Sequence, residues 1–121
     1  MQTYISGPRI SRFLVDVVSS PEDMSRGLSG RTFLPPRQGM LFVFSNIGVH
    51  SMWMPNMYFP LDIVWIDEDK KIVKIEENVQ PCSGNHNCKS YSSVYPSKWA
   101  IELNAFDASR IGLNVGQQLS F

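Results

Sequence analysis

The residues of this chain best able to do chemistry lie in three short stretches. One is the loop Cys82-Ser83-Gly84-Asn85-His86-Asn87-Cys88. Two sulfurs and an imidazole there would give zinc only three ligands at irregular spacing, with a fourth owed from elsewhere. Thiol redox catalysis normally uses the tighter Cys-x-x-Cys arrangement. A disulfide between Cys82 and Cys88 fits better, and so short a ring stabilises by about 2–3 kcal/mol, enough to pin a loop but not to hold a fold. The second stretch is His50-Ser51. Neighbours in sequence do not by themselves form a nucleophilic dyad, and no acid is close by, so His50 reads as structural. The third is a group of soft and aromatic side chains, Met40, Met52, Met54 and Met57 with Trp53 and Trp65, which reads as core packing in which Met fills irregular gaps. The chain has no glycine-rich phosphate loop, no zinc-protease word and no nucleophile elbow. These residues therefore assign no catalytic group, no metal and no cofactor.

The elements that must position any site are organised around residues 39–67. Met40 to Phe44 and Leu61 to Ile66 are apolar on both faces, as expected of interior strands or strands covered by a helix. His50 to Met54 reads as a strand stopped by Pro55. Asp67 to Lys71 is a charged turn, with Ile72 to Glu76 as the return strand of a hairpin. Upstream, residues 1–10 read as an irregular segment and Arg12 to Val18 as a strand with one dry face. Ser20 as cap, Pro21 at the first helical position and Asp23 closing a capping box predict a short helix, ended by Gly27 and Gly30, with Met24 and Leu28 toward the core.

Downstream, Asn78 to Ser97 is long and irregular, and such loops are often functional. Lys98 to Leu103 alternates, with Trp99, Ile101 and Leu103 inward and Lys98, Ala100 and Glu102 outward. Asn104 and Asp107 repeat the capping-box logic for a second helix ending at Gly112. Gln117 to Phe121 reads as a closing strand. The sum, about seven short strands and two short helices, is an α+β domain whose mostly antiparallel sheet forms a sandwich or partial barrel.

Composition excludes several classes of function. With 43% hydrophobic and 18% charged residues the chain is an ordinary globular domain. Eleven basic and eleven acidic residues cancel, and the basic ones are scattered, which argues against nucleic acid or an anionic membrane as partner. No run approaches the roughly 18 apolar residues that span a bilayer, so direct membrane insertion is not expected. The first residues lack the basic start and apolar centre of a signal peptide, so the chain is either cytosolic or begins after a removed leader. A Cys82–Cys88 bridge would favour an exported, periplasmic or extracellular setting over the cytoplasm.

Several words in one order identify a resemblance: Arg26-Gly27-Leu28, Gly30-Arg31, Gly39-Met40-Leu41-Phe42-Val43-Phe44, Trp53-Met54-Pro55-Asn56 and Pro60-Leu61-Asp62-Ile63. Pro81-Cys82, Cys88 with Tyr91, Glu102-Leu103, Arg110-Ile111-Gly112-Leu113 and Gly116 to Phe121 continue it. The chain resembles the DUF192 (UPF0127) family from about Val15 to Phe121. The resemblance implies a small single domain with no established activity, often exported. It also shows departures: Ser29 stands where Met is usual, Met52 for Phe, Pro55 for Lys, Met57 for Thr, and Gln117 for an acid. If the lost charges matter, this member binds something different or less polar.

Arg26, Arg31, Asn56 and Asp62 are the polar residues inside those words. Together with Trp53 they would line a cleft suited to a small polar ligand or glycan, since indole faces stack on sugar rings and Arg and Asn supply directional donors. A plainer reading has Asp62 and Arg31 as a buried ion pair and Asn56 satisfying backbone groups in its turn. Two further functions compete with non-catalytic binding. One is a carboxylate-dependent hydrolase or transferase that uses Asp62, with Glu102 as its second acid only if their strands are neighbours. The other is a cell-surface accessory module that uses the Asn78 to Ser97 loop.

Overall fold

A computed structural model describes residues 1–53, 56–82 and 88–121. Six strands form the main sheet: β1 (Gln2–Gly7), β2 (Ile10–Val18), β3 (Gln38–Gly48), β5 (Leu61–Ile66), β6 (Ile72–Val79) and β8 (Ser97–Asn104). Their order is β1-β2-β3-β8-β5-β6, while β4 (Ser51–Trp53) and β7 (Ser90–Ser92) pair as a small second sheet. The main sheet is antiparallel except between β2 and β3. That parallel pair needs a crossover, and the crossover carries helix α1 (Pro21–Arg26). Helix α2 (Asp107–Ile111) follows β8.

The sheet does not close into a barrel. The last residues instead strap its two outer strands at one end. Ser120 exchanges backbone hydrogen bonds with Ser6 at 2.8 and 3.0 Å, and Gln117 and Leu119 bond to Ile72 and Lys70 at 3.0 and 2.8 Å. Residues 117–121, read as a strand, thus make only isolated bridges, although Leu119 is buried as expected.

Both faces of the sheet are dry. On one, Phe13, Val15, Leu41, Val64, Ile101 and Leu103 pack against Ala108 and Ile111 of α2. On the other, Met40, Phe42, Phe44, Ile63, Trp65 and Ala100 pack against Leu28 and Leu34 from the crossover. Every residue of β5 is buried, as its two-faced apolar run requires. Gly39 lets β3 and β8 close up: a Cβ there would stand 2.3 Å from the Glu102 carbonyl oxygen.

Five expectations need correction. Residues 1–10 are not irregular. Gln2–Gly7 is an edge strand paired with β2, and Arg9, at φ 63°, takes the left-handed turn that Gly7-Pro8 conceals in the sequence. The segment from Asn78 onward contains β7, which pairs with β4. β6 runs on to Val79, beyond Glu76. The face of β8 read as outward is covered, with Ala100 and Glu102 both buried. Asn104 does not cap α2. Its side-chain amide donates to the Leu34 carbonyl at 2.7 Å, and the cap position is Phe106, in a left-handed conformation with no side-chain cap of its own.

Candidate functional site

Local chemistry builds one wall of a cleft. Ser20 Oγ accepts from Asp23 N at 3.1 Å and Pro21 starts α1, as the sequence predicts. Gly27 ends the helix at φ 49°, ψ −128°, a conformation that side chains rarely adopt. The chain then turns through Ser29, and Gly30 N binds the Asn56 carbonyl at 3.0 Å, tying the helix exit to the loop after β4. Between this wall, β3 and β4 lies a cleft of about 280 Å³. Met24, Leu28, Phe42, Phe44, Met52 and Met57 supply its apolar lining, Arg26 and Trp53 stand at its sides, and Glu102 lines it from β8. A wider depression outside it adds Glu22 and Asn56 to the shared residues Arg26, Ser29 and Trp53.

Glu102 is the unusual member. It is 4% exposed, and no hydrogen bond or ion pair from a described residue reaches its carboxyl group. A Cβ built on Gly27 would stand 3.7 Å from Glu102 Oε1 and 3.3 Å from Phe42 Cζ, so the glycine leaves room where the acid and the ring converge. Burial pushes the carboxyl up from its ordinary value to about 8. At neutral pH it is mostly a neutral acid, able both to donate and to accept a hydrogen bond.

The five residues singled out from the sequence divide. Arg26, Trp53 and Asn56 meet around the mouth, where Trp53 is 57% exposed. Arg31 lies off the cleft lining and pairs with Asp16 of β2 at 3.7 Å. Asp62 points to the opposite face of the sheet. Its Oδ1 accepts from Asn78 N and Phe106 N and its Oδ2 from Ala108 N, each at 3.0 Å. No ion pair joins it to Arg31, so the buried pair considered above does not form. Nor does it reach Glu102. The strands are neighbours, but the register sets Asp62 opposite Leu103 and Ile63 opposite Glu102, on alternate faces.

The sequence offers Glu102 only as a second acid for Asp62 and not as a cleft residue, because clean alternation in β8 suggests a wet outer face for it. The contrary signal was present in Met40 to Phe44 and Leu61 to Ile66. Two doubly apolar strands on either side of β8 leave it no wet face.

Cys82 and Cys88 are joined by a disulfide with Cα atoms 5.4 Å apart. It closes the loop leading into β7, whose Tyr91 and Ser90 pair with Met52 and Trp53 of the cleft wall. His86, considered above with zinc, lies outside the described residues, as do Met54 and Pro55. Among the described residues no cluster of metal-binding side chains occurs, and no helix is long and apolar enough to cross a membrane.

A two-faced, mostly β domain with a small cleft over a buried acid is the class that fold and site define. The chain belongs to the DUF192 family ("Uncharacterized ACR"), which matches residues 3–121. It is similar over 99% of its length to a "putative transcription regulator" from Sinorhizobium meliloti 1021, at 31% identity, TM-score 0.90 and 93% coverage of that chain. A protein of unknown function from Novosphingobium aromaticivorans DSM 12444 shares the fold at 23% identity and TM-score 0.84, covering 98% of this chain and 82% of the other. No curated protein matches the chain. Ser29, Met52 and Met57 line the cleft.

Proposed function

We propose that this domain is a non-catalytic binder of a small ligand, held in the cleft between α1, β3 and β4 with a polar group against Glu102. The observation that carries this reading is the largely buried Glu102 carboxyl group at the cleft, to which no described residue gives a hydrogen bond or ion pair. Desolvating such a group is costly, and a ligand that enters the cleft can satisfy it. Trp53 at the rim offers an indole face to a sugar ring or an apolar body, and Arg26 and Asn56 offer donors beside it. The methionines and phenylalanines of the lining make the ligand more amphipathic than the purely polar one that the family words suggest.

Catalysis is less well supported. Asp62, the acid an enzyme reading would use, is sealed from water and occupied by three backbone N–H groups. Among the described residues lining the cleft Glu102 is the only acid, and beside the serines Ser25, Ser29 and Ser51 there is no histidine, cysteine or lysine. The transcription role in the description of the Sinorhizobium protein gains no support from a chain whose charges cancel. The disulfide fits an oxidising compartment outside the cytoplasm.

The test is a fragment screen read by backbone amide NMR shifts. Binders should move Gly27, Ser51, Met52 and Trp53 together, and Trp53→Ala should weaken them. A screen at millimolar concentration that leaves these amides still would sink the proposal.

A further inference from the structure

The chemistry of the cleft narrows the ligand class, on the assumption that the cleft binds a ligand at all. We infer that the ligand is a small organic cation, a protonated amine on an apolar or aromatic stem, whose ammonium pairs with the Glu102 carboxylate at the cleft floor. Three observations lead there. No described residue gives the floor acid a counter-charge. Three aromatic side chains, Phe42, Phe44 and Trp53, line the same space, and aromatic faces attract cations. Met24, Leu28, Met52 and Met57 add apolar surface around the floor, with Ser25, Ser29, Ser51 and Arg26 as the polar part of the lining, so an ion pair formed against Glu102 is less screened than one at the open surface.

The surrounding charges allow a cation to enter. Arg26 and Glu22 stand toward the mouth with opposite signs, and Arg26 leans on Asp23 at 3.6 Å. On β8 itself, Lys98 donates to the Phe44 carbonyl at 2.6 Å. His50 stacks on Phe44 with ring centroids 3.9 Å apart. Across the sheet, β3 and β5 place only Met40 and Ile63 opposite Glu102. Among the described residues no fixed cation pairs with the floor acid, and Arg26, which also lines the cleft, is turned to Asp23.

Proton linkage gives the inference a signature. Glu102 must lose its proton to pair with an ammonium, and with a carboxyl group pushed up to about 8, most of the protein starts protonated at pH 7. Amine affinity should therefore rise about 50-fold between pH 6 and pH 8, with about 0.9 proton released per amine bound at pH 7. A neutral or anionic ligand would show neither effect.

The experiment titrates the full chain with phenethylamine, 2-phenylethanol and 3-phenylpropionate by calorimetry and NMR from pH 6 to 9, in buffers of different ionisation enthalpy. Nα-acetyl-lysine methylamide is run as a fourth probe, to separate a free amine from a lysine side chain as the source of the ammonium. The amine should bind with the stated pH rise and proton release, and isosteric Glu102→Gln should lower its affinity at pH 8 at least tenfold. The uncharged alcohol should bind the native protein more weakly than the amine and without the pH rise. Equal, pH-independent binding of amine and alcohol, or preference for the carboxylate, overturns the cation and leaves the cleft as a binding site. If none of the probes moves the cleft amides, both the cation and the cleft reading fall.

Discussion

Asp62 and Glu102 stand one register step apart on neighbouring strands, both almost or wholly out of water, and leave the sheet on opposite faces. Asp62 accepts hydrogen bonds from three backbone N–H groups. It caps α2, whose own cap residue Phe106 offers nothing, and it anchors the far end of β6. Glu102, with the longer side chain, has no such partners among the described residues and faces a cleft. Burying a carboxyl group is costly in both places. On the α2 face the cost is offset inside the fold, whereas on the α1 face no described residue offsets it. Under the proposed function, the first acid belongs to architecture and the second to the ligand site.

The largest expected effect tests the architectural side. Asp62→Ala should cost about 3–5 kcal/mol, because three backbone N–H groups, that of Ala108 fully buried, lose their acceptor at once. Denaturant unfolding measures it, and exchange of the Ala108 and Phe106 amides should quicken. A loss under about 1 kcal/mol would mean that those N–H groups find other partners, and the contrast between the two acids would collapse.

Glu102→Gln should go the other way. In the folded state the Glu102 carboxyl group titrates at about 8 rather than 4.5, so the native protein holds a proton that the unfolded chain has released. Stability then falls as pH rises from about 4.5 to 8 and levels off above that. Gln removes this dependence and should stabilise the protein at pH 8 by roughly 3–5 kcal/mol, with little change at pH 4. Thermal unfolding at several pH values reads both the sign and the window. A variant that is more stable but binds less would mark Glu102 as kept for function. Unchanged stability at pH 8 would mean that the acid is relaxed by water and is not under strain.

Replacing both Cys82 and Cys88 with Ser should cost about 2 kcal/mol, from the entropy of a small ring. The loss should fall mainly on β7 and β4, seen as faster exchange at Tyr91 and Met52, with the α2 face untouched. Uniform loosening of both faces would show that the small sheet is not a separate wall.

How much of this was legible follows the same division. Local rules located what local chemistry decides: the Ser20 cap and Pro21 start of α1, the Asp67 turn whose Oδ1 accepts from Asp69 N and Lys71 N at 2.9 Å, and the bounds of β5. They failed where a partner distant in sequence decided. Asn104-x-x-Asp107 looked like a capping box, but the cap arrives from Asp62, some forty residues earlier. Arg26, Trp53 and Asn56 were chosen together and do converge. Asp62 stands in the same words but leaves β5 on the other face, because alternation along a strand sends adjacent residues to different faces, and Arg31, in the crossover after α1, pairs with Asp16 of β2 instead. Glu102 was read as an outward side chain since its own strand alternates. Only the doubly apolar neighbours, β3 and β5, carry the information that its face is covered.

The smallest stability effect offers the cleanest separation of the two roles. Trp53 is more than half exposed on a three-residue strand, so Trp53→Ala should change unfolding free energy by less than about 0.5 kcal/mol. Its indole nevertheless stands beside both the cleft and the wider depression. If the cleft binds, that change should weaken ligand about tenfold or more, since a rim aromatic supplies contact area at little ordering cost. Chemical denaturation and a binding titration on the same sample make the comparison direct. A variant that loses stability but not affinity would move Trp53 to the architectural side with Asp62, leaving Glu102 as the functional residue without its rim.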